Sequence, residues 1–187
     1  MKKYLLLTPL ALFPYLILLS MYLIFFQYEL LAYIEHLLIM EGFYIPIVFI
    51  ILGMLLFLWL LSFVFLFVFS HCCSKQENGL LELARSNLVV KLIHIPAYLI
   101  IFILGIICLI TVFTIGFSLA FIIFDCMTIF LTGMLGLCAI LRGRSHGLFY
   151  GKRTIFFAVL QFLFCLDIVG AILLYRKVRA TQVNTQA

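Results

Sequence analysis

The stretch IPAYLIIFILGIICLITVFTIGFSLAFIIFDCMTIFLTGMLGLCAIL, from Ile95 to Leu141, decides the fold. Its only charged residue is Asp125. A bilayer's hydrocarbon layer of about 30 Å is crossed by roughly 20 apolar residues, so a stretch of this length predicts two transmembrane helices. Gly116 and Ser118 make the segment 114–118 the best place for the tight turn between them.

The composition supports the same class of protein. Of the 187 residues, 67% are hydrophobic and 10% are charged, whereas soluble domains carry about 25% charged residues. The mean hydropathy of +1.34 leaves no room for a sizeable soluble domain. The net charge of +5 is therefore a topology signal rather than a basic surface for nucleic acid.

The chain is predicted to be all-α, a polytopic integral membrane helical bundle in one membrane domain, residues 1–187. About five transmembrane helices are expected. The predicted spans are about 4–26, 45–70, 95–113, 119–141 and 154–175. Between them we expect a short outer helix within 27–44 and a cytoplasmic amphipathic segment at 79–93, followed at the chain end by a disordered tail at 176–187.

Lysine and arginine set the orientation, because they are enriched on the cytoplasmic side of membrane proteins. An N-terminus in the cytoplasm of a bacterial cell membrane places the basic residues before the tail inside, and the outer loops then hold none. Under five spans, however, Arg176, Lys177 and Arg179 of the tail lie outside and violate the rule. An even number of crossings is the open alternative.

Two acids within the predicted spans are the sharpest candidates for a site. Asp125 and Asp167 are the chain's only aspartates, and an acid at the centre of a helix costs about 2.5–3.5 kcal/mol on insertion scales. Counted from the basic loop at 142–153, both fall at similar depth, so we expect them on facing helices. Thr128 and Thr132 share the helix face of Asp125. Together they predict a proton or cation site, or an interhelical polar contact.

No catalytic signature occurs in the sequence: GxSxG, HExxH and the P-loop pattern are all missing. We therefore predict no catalytic residue, no cofactor and no metal site. The stretch Lys91–Tyr98, with Phe124–Cys126 and Gly133–Leu137 downstream, resembles small uncharacterised bacterial membrane proteins grouped as domains of unknown function. That resemblance covers about the C-terminal 100 residues and implies no activity.

The leading expectation is a non-enzymatic accessory or interaction protein, either a transporter partner or an immunity-type protein. Its partners would be membrane lipid and a second membrane protein or further copies of the chain, with no nucleic acid. The alternative is a small channel or a proton- or cation-linked carrier that uses Asp125 and Asp167.

Overall fold

A computed structural model describes residues 2–40, 46–76, 78–110, 115–164 and 166–186. All regular secondary structure in these ranges is helical, which confirms the predicted all-α class. A 3-10 helix, Lys2–Leu7, leads into seven α-helices. They are α1 (Thr8–Phe26), α2 (Tyr28–Met40), α3 (Ile47–Ser74), α4 (Gly79–Leu109), α5 (Ile115–Ser145), α6 (Lys152–Leu160) and α7 (Leu166–Gln186).

Among the described residues, four helices are long and apolar enough to cross a membrane. They are the first helix, from Tyr4 to Ile24, and the helices α3, α4 and α5. The chain is therefore a helical membrane protein.

Helix α4 is longer than the sequence predicted. The amphipathic segment 79–93 and the third span form one continuous helix of 31 residues. The side chain of Leu92 is exposed, whereas Lys91 and His94 are buried. The polar face of α4 thus points into the bundle, because its apolar face is the one that lipid can cover.

The turn between α4 and α5 comes earlier than predicted. Residues 115–118 belong to the first turns of α5, while Thr114 lies outside the described residues. The hydroxyl of Ser118 donates a 3.0 Å hydrogen bond to the Gly105 carbonyl, which fixes the two helices near their junction.

Two prolines shape the first helix. Pro9 stands in the first turn of α1, where its missing N–H costs nothing, and Pro14 lies inside the helix. An internal proline removes the hydrogen bond to the carbonyl four residues earlier, which here is that of Leu10. His94 of α4 takes the place of that bond, since its Nε2 donates to the Leu10 carbonyl at 3.1 Å.

The predicted fifth span, 154–175, is not one helix. Helix α6 ends at Leu160, and the chain turns through 161–164 before α7 begins at Leu166. Neither half qualifies as a spanning helix. The nine residues of α6 rise only about 14 Å, roughly half of the hydrocarbon thickness.

Helix α7 then runs back toward the end of the bundle where α6 began. The ammonium of Lys177 lies 4.3 Å from the centroid of the Phe149 ring, which precedes α6 in the chain, and 5.6 Å from that of Phe157 within α6. Partial burial and the neighbouring charge of Arg153 lower the pKa of Lys177. Helices α6 and α7 therefore form a helical hairpin that enters and leaves the bundle at the same end, and we call it the re-entrant hairpin.

We call the end of the bundle that carries Arg142, Arg144, Lys152 and Arg153 the basic end. The hairpin returns the tail's Arg176, Lys177 and Arg179 to this same end, which removes the conflict that five spans create. The predicted disorder from residue 176 is also not seen, because α7 extends to Gln186. Leu174 and Val178 continue its buried stripe into the core, where they join Leu80, Leu83 and Phe149.

Candidate functional site

Helix α4 presents a row of buried polar side chains to the middle of the bundle. Asn87, Lys91 and His94 are fully buried, and Tyr98 is 6% exposed. Their spacing of four, three and four residues places them on one helix face. Lys91 lies 12 residues from the start of α4, about 18 Å along the helix axis.

The ammonium of Lys91 forms an ion pair with Asp167 in the first turn of α7. Lys91 Nζ lies 3.3 Å from Asp167 Oδ2, and the two side chains are 0% and 1% exposed. Lys91 Nζ also donates hydrogen bonds to the carbonyls of Gln161, at 3.1 Å, and of Asp167, at 3.3 Å. One cation is thus held by a carboxylate and by two backbone oxygens of the hairpin tip.

The contacts of Lys91 satisfy backbone polar groups that the non-helical hairpin tip leaves without helical partners. Non-helical backbone at membrane depth is tolerated only where protein or water satisfies its polar groups. The C-terminal end of α6 carries partial negative charge and attracts the ammonium, while the N-terminal end of α7 favours the Asp167 carboxylate. The hairpin tip and Lys91 therefore stabilise each other.

Gln161 links the hairpin tip to α4 and α5. Its Oε1 accepts a 3.2 Å hydrogen bond from Asn87 Nδ2, and the whole side chain is buried. A Cβ added at Gly136 of α5 would collide with Gln161 Oε1, and one at Gly133 would lie 2.7 Å from the Phe162 ring. The absence of side chains at these two glycines is what lets the hairpin tip approach α5.

The predicted residues of α5 lie beside this cluster. Thr128 and Thr132 are fully buried, and each returns its hydroxyl to a backbone carbonyl of the preceding turn. The Tyr98 hydroxyl lies near the side chain of Thr132 but forms no hydrogen bond of ordinary geometry with it. Tyr98 is also within electrostatic reach of both Asp125 and Asp167.

Asp125 stands apart from the ion pair. It lies seven residues before Thr132, about 10 Å farther from the basic end. Its side chain is only partly buried, and its Oδ1 has no hydrogen-bond partner among the described residues. The similar depth expected for the two aspartates assumed a straight fifth span. The reversal that begins at 161–164 instead places Asp167 against Lys91, and the two aspartates form no contact with each other.

Sequence reasoning missed four members of the cluster, namely Asn87, Lys91, His94 and Gln161. Asn87 and Lys91 fall in the predicted cytoplasmic segment 79–93, because charged and polar residues flank them, and His94 comes just before the predicted third span. Their heptad-like spacing with Tyr98 was the available signal. On a continuous helix Gln161 and Asp167 would lie on different sides, but the hairpin brings both of them to Lys91.

The fold and the site together define a membrane protein with four spanning helices and a re-entrant hairpin whose tip binds a buried lysine. No protein-family model, no curated protein and no solved structure matches the chain. The resemblance to bacterial proteins of unknown function therefore stays a prediction.

Proposed function

We propose that this protein is a small carrier that exchanges protons for monovalent cations, with Lys91 and Asp167 as the exchange site. The basic end would face the cytoplasm, as the distribution of lysine and arginine favours. The observation that carries the proposal is the fully buried ion pair at the tip of the re-entrant hairpin. Ionisable residues within a membrane are costly and are therefore candidates for a functional site.

The ligand set around the Lys91 ammonium is that of a cation site. In transporters with interrupted helices, exposed carbonyls at the ends of half-helices bind the coupling ion near the middle of the membrane. Here one such carbonyl, that of Gln161 at the end of α6, binds the ammonium together with the carbonyl and the carboxylate of Asp167. A solution cation that enters these oxygens competes with Lys91. Charge is balanced when Lys91 releases one proton, so the exchange is electroneutral.

The polar residues beyond the ion pair extend the proposed pathway toward the opposite end of the bundle. Thr132 and Tyr98 lie between the ion pair and Asp125, which is the acid nearer the opposite end of the bundle. Asp125 would then bind the proton or cation before it reaches the buried pair. This role keeps both predicted aspartates in one pathway, although they do not touch.

An accessory role, which the sequence favoured, is the second candidate. The observation that favours it is helix α3, which contributes only one narrow stripe to the core. The buried members of this stripe are Leu55, Ser62, Leu66, Phe69 and Cys73. The remaining apolar surface of α3 would accept a helix of a partner membrane protein.

The test is proton flux into liposomes that contain only the purified protein and a pH-sensitive dye. Adding Na⁺ or K⁺ to one side is expected to move protons in the opposite direction. The variant Lys91→Gln/Asp167→Asn keeps hydrogen-bonding groups at both positions and removes both charges, so it should fold and lose the flux. Asp125→Asn should lower the flux.

Glu29→Gln is the matched control, because Glu29 is an exposed acid on α2, outside the pathway. Its flux should equal that of the wild type. Full flux in the folded double variant would contradict the carrier proposal. So would a wild type without cation-driven flux, and affinity purification from native membranes with a stoichiometric unrelated partner would then support the accessory role.

A further inference from the structure

A second site lies on the side of α4 that faces the start of the chain. A groove of about 510 Å³ runs between the first helix and α4. This volume is within the range of about 300–1,000 Å³ that small-molecule sites occupy. Its walls are mostly apolar and include Tyr4, Ala11, Leu12 and Ile93, while Arg85 and Ser86 line it nearer the start of α4.

The groove has the length and depth of one membrane leaflet. Arg85 is six residues from the start of α4, and Arg142 ties that start to the basic end by hydrogen bonds of 2.9 and 3.3 Å to the Ser74 and Gln76 carbonyls. From Arg85 to Ile93 the helix rises about 12 Å. Half of the hydrocarbon layer measures about 15 Å. At Ile93 the groove ends, where the Tyr15 hydroxyl donates to the Ile93 carbonyl.

The Arg85 guanidinium at the mouth of the groove has no partner among the residues that the structure describes. Arg85 is exposed, and it forms no hydrogen bond or ion pair with any of the described residues. The nearby Glu82 accepts a contact from the Cys73 thiol at 3.8 Å. A guanidinium at the membrane surface is best matched by a phosphate, which it binds through two parallel hydrogen bonds.

We propose that the groove binds an anionic phospholipid of the leaflet at the basic end, with one acyl chain between α1 and α4 and the phosphate on Arg85. Basic pockets between transmembrane helices bind anionic lipid headgroups in this way. The site is separate from the buried ion pair and does not depend on the carrier proposal. The lipid would complete the wall between the first helix and α4.

The experiment is native mass spectrometry of the purified protein with phosphatidylglycerol or phosphatidylcholine of identical acyl chains. One basic residue near the membrane surface contributes about 1 kcal/mol to anionic-lipid binding, so phosphatidylglycerol should bind about fivefold more tightly. Arg85→Gln should abolish this preference, and Arg85→Lys should keep most of it. Ala11→Phe fills the groove and should weaken both lipids.

Arg144→Gln is the matched control, because Arg144 is an exposed arginine at the end of α5 and does not line the groove. It should leave the preference unchanged. Equal binding of both lipids by the wild type, or an unchanged preference in Arg85→Gln, would overturn the proposal. Inorganic phosphate that binds equally well to the wild type and to Ala11→Phe would also overturn it, since the ligand would then be a free anion.

Discussion

At the scale of single residues, the site depends most on Lys91. Its ammonium satisfies the carboxylate of Asp167 and the carbonyls of Gln161 and Asp167. Asp167 has a smaller part, because its carboxylate is one of three oxygens that the ammonium contacts and is also stabilised by the backbone N–H groups at the start of α7. Removing one member of a buried ion pair leaves an uncompensated charge, but removing Lys91 also leaves the Gln161 carbonyl, which lies outside the helices, without its donor.

We therefore expect an unequal cost for the two substitutions. Lys91→Met should lower the free energy of unfolding by about 3–5 kcal/mol, the usual cost of breaking a buried pair. Asp167→Asn should cost less, since the amide oxygen still accepts from Lys91 and the carbonyl bonds persist. Chemical unfolding in detergent, followed by Trp59 fluorescence, measures both. Lys152→Met, at the exposed start of α6, is the control, and a larger loss in Asp167→Asn would contradict this account.

A glycine pair gives a second prediction at this scale. Gly136→Ala places a methyl group against the Gln161 amide and should break its hydrogen bond with Asn87, with a cost of about 1–3 kcal/mol as for overpacked cores. Gly53→Ala in α3 meets no atom within 4 Å and should leave the melting temperature unchanged or slightly higher. Equal melting temperatures for the two variants would refute the close approach of α5 and the hairpin tip.

At the scale of elements, α1 and α4 are joined where their prolines disturb the backbone. Pro14 frees the Leu10 carbonyl, and His94 occupies it. In return, Tyr15 of α1 donates to the Ile93 carbonyl of α4, three residues before Pro96. The carbonyl that Pro14 frees thus has a specific donor on the neighbouring helix, the imidazole of His94.

The replacement of a backbone hydrogen bond by His94 predicts that a second substitution can restore the stability lost by removing His94. His94→Leu leaves the Leu10 carbonyl buried without a donor and should cost about 1–3 kcal/mol of stability. Pro14→Ala restores the backbone N–H that this carbonyl would meet in a regular helix. The double variant Pro14→Ala/His94→Leu should therefore be more stable than His94→Leu alone, as measured by thermal unfolding in detergent. An additive or larger loss would show that His94 stabilises the bundle in another way.

The sequence predicted some elements well and others poorly, for physical reasons. Long apolar runs specify spanning helices, so α3 and α5 lie close to their predicted bounds. The break at 161–164 carries no proline or glycine, and apart from Gln161 its residues are as apolar as those around them. Its position is set by tertiary contacts with Lys91 and Asn87, which no local pattern reveals. Asp167 was found because a buried acid is costly anywhere in a membrane, whereas Lys91 was hidden among the polar neighbours of α4.

At the scale of the whole molecule, the hairpin changes the topology. Four spanning helices and a re-entrant segment bring both chain ends to the basic end, and the lysines and arginines of the loops and tail gather there. The sequence left the number of crossings open between five and an even count. The return of Lys177 to Phe149 favours the even count.

Epitope tags in sealed membrane vesicles test this topology. A tag after Ala187 and a tag in the loop after Ser145 should be reached by antibody from the same side. A tag after Gln27, between α1 and α2, should be reached only from the opposite side. A C-terminal tag that is accessible together with the tag after Gln27 would mean that the last segment crosses the membrane completely.

The hairpin also has a consequence for biogenesis. Neither α6 nor α7 is a spanning helix by itself, so the ribosome-bound insertion machinery has no stop signal to read in this part of the chain. The segment can enter the bilayer only after α4 and α5 are in place, since Lys91 and the glycines of α5 form the surface that receives it. Until then, Lys91 exposes an unneutralised charge within the membrane. A nascent or truncated chain that ends before residue 152 would carry this charge permanently, and it would be a natural substrate for membrane quality-control proteases.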